Sequence, residues 1–159
     1  MLHVILYSPE IPQNTGNIGR LCAFTNTRLH LIHPLGFATS DKYLKRAGMD
    51  YWRHLEVIEH ADWEAFRQSR ARPEDARIWL FTTKANKAHW EIAHRDGDGL
   101  LFGQETAGLP EHLHNWGADR RVKIPPFKSN LRSLNLATSV GIATYNALRQ
   151  IHNPPAKGP

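Results

Sequence analysis

The sequence predicts a single α/β domain built on a mostly parallel sheet flanked by helices. Three observations predict this fold class: apolar, β-rich runs recur along the chain, helical spacing fills most of the intervals between them, and 159 residues fit one domain. We expect the domain to span residues 1–153. The tail at residues 154–159 is rich in proline and glycine and is expected to be flexible.

Six apolar runs bounded by turn residues are predicted to be strands. They are, in order, Leu2–Tyr7, Leu29–Ile32, Leu55–Ile58, Arg77–Phe81, Leu100–Phe102 and Arg121–Ile124. Runs of this kind that alternate with helices are typical of parallel sheets, because the crossover helices cover both faces of the sheet.

Capping residues and helical spacing predict five helices around these strands. Asn17 is the predicted N-cap of the first helix, and Asp41 and Asp62 are the predicted caps of the next two. A short helix is expected from Pro110 to about Trp116, since proline suits a first helical turn. The last and longest helix is expected from about Leu134 to Gln150.

Composition narrows the class of partner and the compartment. The formal charge of +5 at pH 7 favours a polyanion such as RNA, DNA or phospholipid, although surface charge also serves solubility alone. The single Cys22 rules out an internal disulfide and suits a reducing compartment. Because no apolar run approaches the ~18 residues of a membrane helix, we expect a cytoplasmic location.

Several common catalytic classes lack their motifs. Gly103–Gly108 has the glycine spacing of a Walker loop, but Leu109 and Pro110 stand where lysine and serine or threonine would be needed. The chain has no GxGxxG after its first strand and no GxSxG, so neither dinucleotide binding nor serine hydrolysis is supported. The ten histidines form no HExxH and have no cysteine cluster beside them, so no metal site is expected.

Two segments place polar or flexible backbone directly after apolar strands: Gly103–Pro110, and the stretch from Lys123 to Ser139. The carboxyl ends of parallel strands share one edge, where ligands bind, so we expect one pocket there. Its amides, small residues and apolar walls suit a neutral-to-cationic cofactor with an adenine face, although the same residues would also serve as core side chains and helix caps. The candidates are Phe81, Leu101, Ile124 and Leu134 for the adenine ring, and Ser133 and Asn135 for its edge.

Three motifs occur in order along the chain. They are Pro12–Cys22, Phe102–Pro110, and Ile124-Pro125 followed by Arg132–Val140. Together they resemble the three motifs of the SPOUT-class RNA 2′-O-ribose methyltransferases. Pro9–Pro12 and Arg46–Tyr51 are similar to one branch, the tRNA (cytidine/uridine-34)-2′-O-methyltransferases. The resemblance covers about residues 2–150, and the loop at residues 127–131 is about one residue longer than the family pattern.

The resemblance implies the SPOUT fold with a C-terminal deep trefoil knot, S-adenosylmethionine bound in the knot, and a homodimer that completes the pocket across its interface. It implies methylation of the ribose 2′-oxygen at the tRNA wobble nucleotide, a cytidine or modified uridine. Another tRNA position, ribosomal RNA or a non-catalytic RNA-binding role are the alternatives. The residues implied around the cofactor are Phe81, Gly103, Ile124 and Ser133, with Leu134 and Asn135 adjacent.

Arg20 is the residue that the resemblance places closest to the reacting hydroxyl. Deprotonating any arginine at pH 7 costs roughly 7 kcal/mol, so we favour a cation that grips the neighbouring phosphate and stabilises the developing alkoxide over a general base. Glu105 and Gly108 are expected to shape the second-motif turn. Asn14 is expected either to shape the first-motif loop or to contact the target ribose.

Basic side chains outside this pocket are expected to hold the tRNA. The predicted set is Lys42, Lys45, Arg46 and Arg53, the first three of which share one helix face. Arg132 and Tyr145 are candidates for contacts with RNA or with a partner subunit. Small residues along the last helix suit either a close interface or internal packing; they include Ala137, Gly141, Thr144, Ala143 and Ala147.

Overall fold

A computed structural model describes residues 1–38, 55–128 and 133–153. Its strands are β1 His3–Tyr7, β2 Arg28–Ile32, β3 Val57–His60, β4 Ile78–Phe81, β5 Gly99–Phe102 and β6 Arg121–Val122. The helices of these residues are α1 Pro12–Thr25, α2 Trp63–Gln68, α3 Glu111–Trp116 and α4 Leu136–His152. The strands form one sheet in the order β3-β2-β1-β5-β4-β6, and every pairing is parallel. The predicted parallel α/β sheet is therefore confirmed.

The two faces of the sheet bury separate apolar clusters because side chains alternate along each strand. Val4 and Leu6 of β1 point to the face covered by α1 and α4, whereas Ile5 between them points to the face covered by α2 and α3. On the first face Val140 of α4 is fully buried, and on the second face Phe66 of α2 is fully buried. Helices thus cover both faces and leave the strand ends to form a site.

The predicted start of the first helix was wrong. The N-cap of α1 is Ile11 rather than Asn17, and Pro12 occupies the first helical position. Proline suits that position because its φ is already helical and its missing N–H has no partner to lose. The prolines, asparagines and glycines of this stretch resemble a loop in sequence, yet Asn14 is buried within the first turn of the helix.

The other boundaries differ from prediction by one or two residues. β3 runs to His60 instead of ending at Ile58, because the polar His60 is buried against β2. α4 begins at Leu136, with Asn135 as its N-cap. The predicted cap of α2 is confirmed, since the Asp62 carboxylate accepts the Ala65 N–H at 2.7 Å.

Two sequence predictions lie outside the described residues. The helix predicted to begin at Asp41 falls within residues 39–54, and the tail is residues 154–159. They stay predictions.

Three buried histidines form a ladder across β1, β2 and β3. His3 Nδ1 lies 2.9 Å from His30 Nε2, and His30 Nδ1 lies 2.9 Å from His60 Nε2. Neighbouring rings stack at centroid distances of 5.2 Å. Burial, followed by the charge of Arg28, lowers the pKa of His3 to about 4. Burial and the two flanking imidazoles lower the pKa of His30 to about 2. Burial also lowers the pKa of His60, so the ladder is neutral in the folded chain at pH 7.

Candidate functional site

The carboxyl ends of β1, β5, β4 and β6 form one edge of the sheet. Gly103 follows β5, which lies between β1 and β4, and Ile124 follows β6 on the other side of β4. The sheet order therefore places the two segments predicted to form a pocket on the same edge, with the end of β4 between them.

The turn after β5 is held at its base by backbone hydrogen bonds. The Gln104 N–H donates to the Gly108 carbonyl at 3.1 Å, and the Gly108 N–H donates to the Gln104 carbonyl at 3.0 Å. Gly108 has a φ of 69°, which glycine adopts without strain. A Cβ atom on Gly103 would lie 2.1 Å from the carbonyl carbon of Gly108, so only glycine fits at that position.

Replacement of Gly103 by alanine is expected to destabilise the fold by about 2–3 kcal/mol, because the two backbones cannot separate without breaking the turn. Urea unfolding at a fixed protein concentration measures this loss. Ala107→Ser, at an exposed position of the same turn, is the control and is expected to change the free energy of unfolding by less than about 0.5 kcal/mol. An unchanged urea midpoint for Gly103→Ala would show that the close approach is absent in solution.

The Glu105 carboxylate ties the turn to the loop after β1. It accepts the backbone N–H of Glu10 at 2.8 Å and that of Ile11 at 3.2 Å. It also accepts the side-chain amide of Asn14 at 3.1 Å. Glu105 therefore holds the start of α1 rather than its own turn, and these hydrogen bonds connect the second motif to the loop after β1 and, through Asn14, to the first motif.

Asn14 extends this connection to the third motif. Its side-chain oxygen accepts the Asn135 amide at 2.9 Å, while the Asn135 oxygen accepts the Thr138 N–H at 3.2 Å and so caps α4. Asn14 is only 6% exposed, and both ends of its amide are occupied. This geometry favours the loop-shaping role of Asn14 over a direct contact with the ribose.

Phe81, Phe102 and Ile124 form an apolar wall at the carboxyl end of β4. The Phe81 ring stacks on Phe102 with centroids 4.7 Å apart, lies 6.1 Å from His89, and retains 8% exposure. Ile124 packs against the same cluster and is half-buried. Leu101 was wrongly predicted to join this wall: it belongs to the cluster on the opposite face, because it precedes Phe102 by one strand position.

The start of the third motif is open to solvent. Ser133 and Asn135 are exposed, and Leu134 retains 49% exposure although it is apolar. An apolar side chain beside a helix N-terminus can cover a ligand that lies on the Phe81 wall.

Arg20 lies on the exposed side of α1. It borders a groove of about 410 Å³ whose other lining residues are Asn17, Leu21 and Phe24. Phe24 is 77% exposed, which is high for an aromatic side chain, so this side of α1 combines a guanidinium with uncovered apolar surface.

The basic residues predicted to contact RNA lie outside the described residues. These are Lys42, Lys45, Arg46 and Arg53 in residues 39–54, and Arg132 in residues 129–132. Tyr145 is described and is 51% exposed on α4. Three further basic residues lie within the described part of the chain, on the same sheet edge as the Gly103–Gly108 turn. They are Lys84 and Lys87, which follow β4, and Lys123, which follows β6.

Residues 1–38, 55–128 and 133–153 contain neither a metal-binding cluster nor a membrane-spanning helix. No group of three or more histidine, cysteine or acidic side chains there can hold a metal ion. No helix in that part of the chain is long and apolar enough to cross a membrane.

Comparison with known proteins decides the family. The model of the SpoU rRNA Methylase family matches residues 1–145. The chain belongs to the SpoU methylase family. The matched span includes all six strands of the sheet and the three linked motifs.

Two relatives match the chain over nearly their full length, and a third matches it over about half of its own length. A protein of Escherichia coli K12 named tRNA (cytidine(34)-2′-O)-methyltransferase is 46% identical over 157 residues, which is 98% of each chain. A solved structure described as concerning the 2-OH methylation of C/U34 on tRNA is 45% identical, with a TM-score of 0.85 and coverage of 94% and 95%. An AdoMet-bound rRNA methyltransferase of Sinorhizobium meliloti is 25% identical, with a TM-score of 0.81, over 94% of this chain and 56% of that one.

Sequence reasoning missed Glu10 as a site residue. Its carboxylate accepts both donors of Thr106 across a sequence separation of 96 residues. The signals in the sequence were a carboxylate directly after the first strand and its place within Pro9–Pro12, a segment that carries part of the resemblance. A single acidic residue after a strand does not indicate its partner.

Proposed function

We propose that this chain is an S-adenosylmethionine-dependent enzyme that methylates the ribose 2′-oxygen of the tRNA wobble nucleotide, cytidine or modified uridine 34. The observation that carries the proposal is the side-chain connection from Glu105 through Asn14 to Asn135, which unites the three motifs of an RNA methylase at one sheet edge. The full-length similarity to a protein named for this reaction supports the choice of nucleotide.

The residues at the sheet edge fit the cofactor. The Phe81 ring and Ile124 offer an apolar surface for adenine, and Gly103 directly follows Phe102, on which Phe81 stacks. Ser133, Leu134 and Asn135 stand at the exposed N-terminus of α4 and would cover the opposite side. When bound, S-adenosylmethionine supplies a methyl group that is already activated for transfer.

The protein itself would promote methyl transfer by aligning the reactants and by stabilising charge. The ribose 2′-oxygen would accept the methyl group that the cofactor supplies, the cofactor would leave as the neutral thioether, and the hydroxyl proton would pass to solvent. Holding the two reactants in line can contribute roughly 7–11 kcal/mol. Arg20 would act as a cation that grips the adjacent phosphate and stabilises the developing negative charge. Asn14 would hold the start of its helix in register with the cofactor loops.

We also propose that the chain forms the deep trefoil knot of the SPOUT fold. The Thr82 N–H donates to the Val122 carbonyl on one side of β6, while the Lys123 N–H donates to Lys87. The His89 N–H donates to the Lys123 carbonyl on that second side. Because successive residues of a strand direct their hydrogen bonds to opposite sides, residues 122–123 lie between the two arms of the 82–89 loop.

Helix α4 packs against the His89 end of that loop. The Asn146 side chain donates to the His89 carbonyl at 3.4 Å, and the His94 N–H donates to the Gln150 side chain at 3.0 Å. These contacts support a chain that passes through the loop and folds back over it.

A homodimer that completes the pocket across its interface is the third part of the proposal. Ile142 and Tyr145 are three residues apart on α4 and are 39% and 51% exposed. The exposed Phe24 lies on α1, which packs against α4. Uncovered apolar side chains on two adjacent helices suit a second copy of the chain. By contrast, Val140, Ala143 and Ala147 are buried within the subunit.

Introducing a charge at Ile142 is expected to weaken the dimer. Ile142→Glu would bury an unpaired carboxylate in the interface and raise the dimer dissociation constant about a hundredfold or more, as measured by analytical ultracentrifugation. Methylation should fall with the dimer fraction, because the pocket would be incomplete in the monomer. Asn115→Glu, an exposed position of α3, adds the same charge as a control. A wild-type chain that is both monomeric and active would refute the interface.

Binding of tRNA would rest on the basic surface. The charge of +5 and the lysines Lys84, Lys87 and Lys123 at the site edge support it, and Lys42, Lys45, Arg46, Arg53 and Arg132 would add contacts. Each phosphate that is neutralised adds about 0.7–0.9 to the salt slope of binding. A loop nucleotide is accessible without opening a helix, which suits a single small domain. We place the enzyme in the cytoplasm, in keeping with its buried free Cys22.

The test of the activity is mass mapping of 2′-O-methyl groups on bulk tRNA incubated with the chain and S-adenosylmethionine. The proposal expects a gain of one methyl group on the ribose of nucleotide 34. A mark at another tRNA position, or on ribosomal RNA supplied in parallel, would replace the proposed substrate. Binding of RNA without a gain in mass would instead identify a non-catalytic RNA-binding protein.

A further inference from the structure

A carboxylate from the loop after β1 holds the tip of the Gly103–Gly108 turn. Thr106, at that tip, donates its backbone N–H to Glu10 Oε2 at 3.0 Å. The Thr106 hydroxyl donates to the same carboxylate, at 2.7 Å to Oε2 and 3.0 Å to Oε1. Within the described residues, both donors of Thr106 therefore use one acceptor group.

Glu10 is itself fixed from two directions. Its backbone N–H donates to Glu105, so the two glutamates hold each other's loops in a reciprocal pair. A Cβ atom on Gly36 would lie 2.7 Å from the Glu10 Cα, and the Gly36 N–H donates to the Pro9 carbonyl at 2.9 Å. The Glu10 backbone is therefore packed against a third segment, so its side chain extends toward Thr106 from a fixed backbone.

The two ends of the turn are thus held differently. Its base is closed by Gln104 and Gly108 through their own backbone bonds, whereas its tip depends on Glu10. Hydrogen bonds to a charged carboxylate are stronger than neutral ones. Removing the charge of Glu10 should release the tip while the base and the Glu105 connection remain.

We propose that Glu10 is a positioning residue that holds the second-motif turn in its cofactor-binding shape, an inference that rests on the proposed function. It touches neither cofactor nor substrate and acts through Thr106. A preorganised turn loses less freedom when the ligand binds, so its effect falls on cofactor affinity. The transfer step depends instead on Arg20 and on the tRNA.

The test compares S-adenosylmethionine affinity in Glu10→Gln and in the wild type by calorimetry, without tRNA. Glu10→Gln is expected to raise the cofactor Kd, and the cofactor KM in a methylation assay, about tenfold. We expect kcat and the KM for tRNA to stay within about twofold and the Tm to change little. Thr106→Val should show part of the same loss, Thr106→Ser should restore wild-type affinity, and Glu10→Gln with Thr106→Val should lose less than the sum of the two.

Glu64→Gln, which removes an exposed carboxylate from α2, is the matched control and should leave the affinity unchanged. Wild-type affinity in Glu10→Gln, or an equal rise in the KM for cofactor and for tRNA together with a large fall in Tm, would overturn the positioning role. A wild-type chain that binds no S-adenosylmethionine would overturn the proposed function as well. The two failures are therefore distinguishable.

Discussion

Replacement of Arg20 by alanine is expected to lower the kcat for tRNA methylation by about a hundred- to a thousand-fold, because a cation aimed at developing charge contributes that much in other enzymes. The cofactor Kd should change less than about threefold, since Arg20 lies on the exposed side of α1 and is proposed to act on the phosphate and the developing charge rather than to bind the cofactor. Single-turnover methylation with bound tRNA, alongside calorimetry, separates the two effects.

Arg20→Lys distinguishes a dedicated guanidinium from a simple positive charge. Lysine keeps the charge but cannot present two parallel N–H donors to a phosphate, so we expect the rate to fall about tenfold or more. Arg70→Ala removes an exposed arginine that follows α2 and should leave the rate unchanged. Retention of most of the activity in Arg20→Lys would contradict a dedicated arginine role, and full activity in Arg20→Ala would remove Arg20 from the site.

Acidification from pH 7.5 to pH 5 is expected to cost the folded state about 4 kcal/mol through the histidine ladder. His3 and His30 have folded pKa values of about 4 and about 2, below the ordinary value near 6.5 of the unfolded chain. The unfolded state therefore binds more protons, and stability is complete above about pH 7 and falls as the pH drops below 6.5. Each of the two contributes about 2 kcal/mol at pH 5. Urea unfolding at several pH values and one protein concentration measures the loss.

Removing the central imidazole should reduce this dependence. In His30→Gln the slope of the unfolding free energy between pH 6 and pH 5 is expected to fall by about 1 kcal/mol per pH unit, since one proton fewer is taken up on unfolding. His112→Gln, at an exposed position of α3, should keep the wild-type slope. A wild-type chain whose stability is flat between pH 7 and pH 5 would contradict the lowered pKa values, because it would show that the folded and unfolded chains take up the same number of protons.

The sequence predicted those strands and helix caps that depend on residues close together in the chain. The strands follow from apolar runs such as Leu29–Ile32, and the start of α2 follows from the Asp62 cap, which the structure shows bonded to Ala65. The start of α1 was missed because Pro12 supports both a turn and a first helical position, and a partner distant in sequence decides between them. Here that partner is Glu105, which holds Asn14.

Local sequence patterns could not predict the contacts between residues that are far apart in the chain. The burial of His60 follows from its bond to His30, and the tip of the second-motif turn is held from Glu10, 96 residues away. The side of the sheet that Leu101 faces follows from strand register, which a three-residue run does not fix. Family resemblance placed the three motifs together, and the structure shows the side-chain bonds that link them.

The most direct test of the account follows the backbone amide resonances of the ¹⁵N-labelled chain during a titration with S-adenosylmethionine. We predict that the largest shifts belong to Gly103, Gln104 and Gly108 and to Ser133–Asn135, while Gly97 at the opposite end of β5 stays unchanged. Shifts centred on Gly97 and its neighbours at the amino edge of the sheet, with the Gly103 turn unaffected, would contradict a methyl-donor site between the second and third motifs.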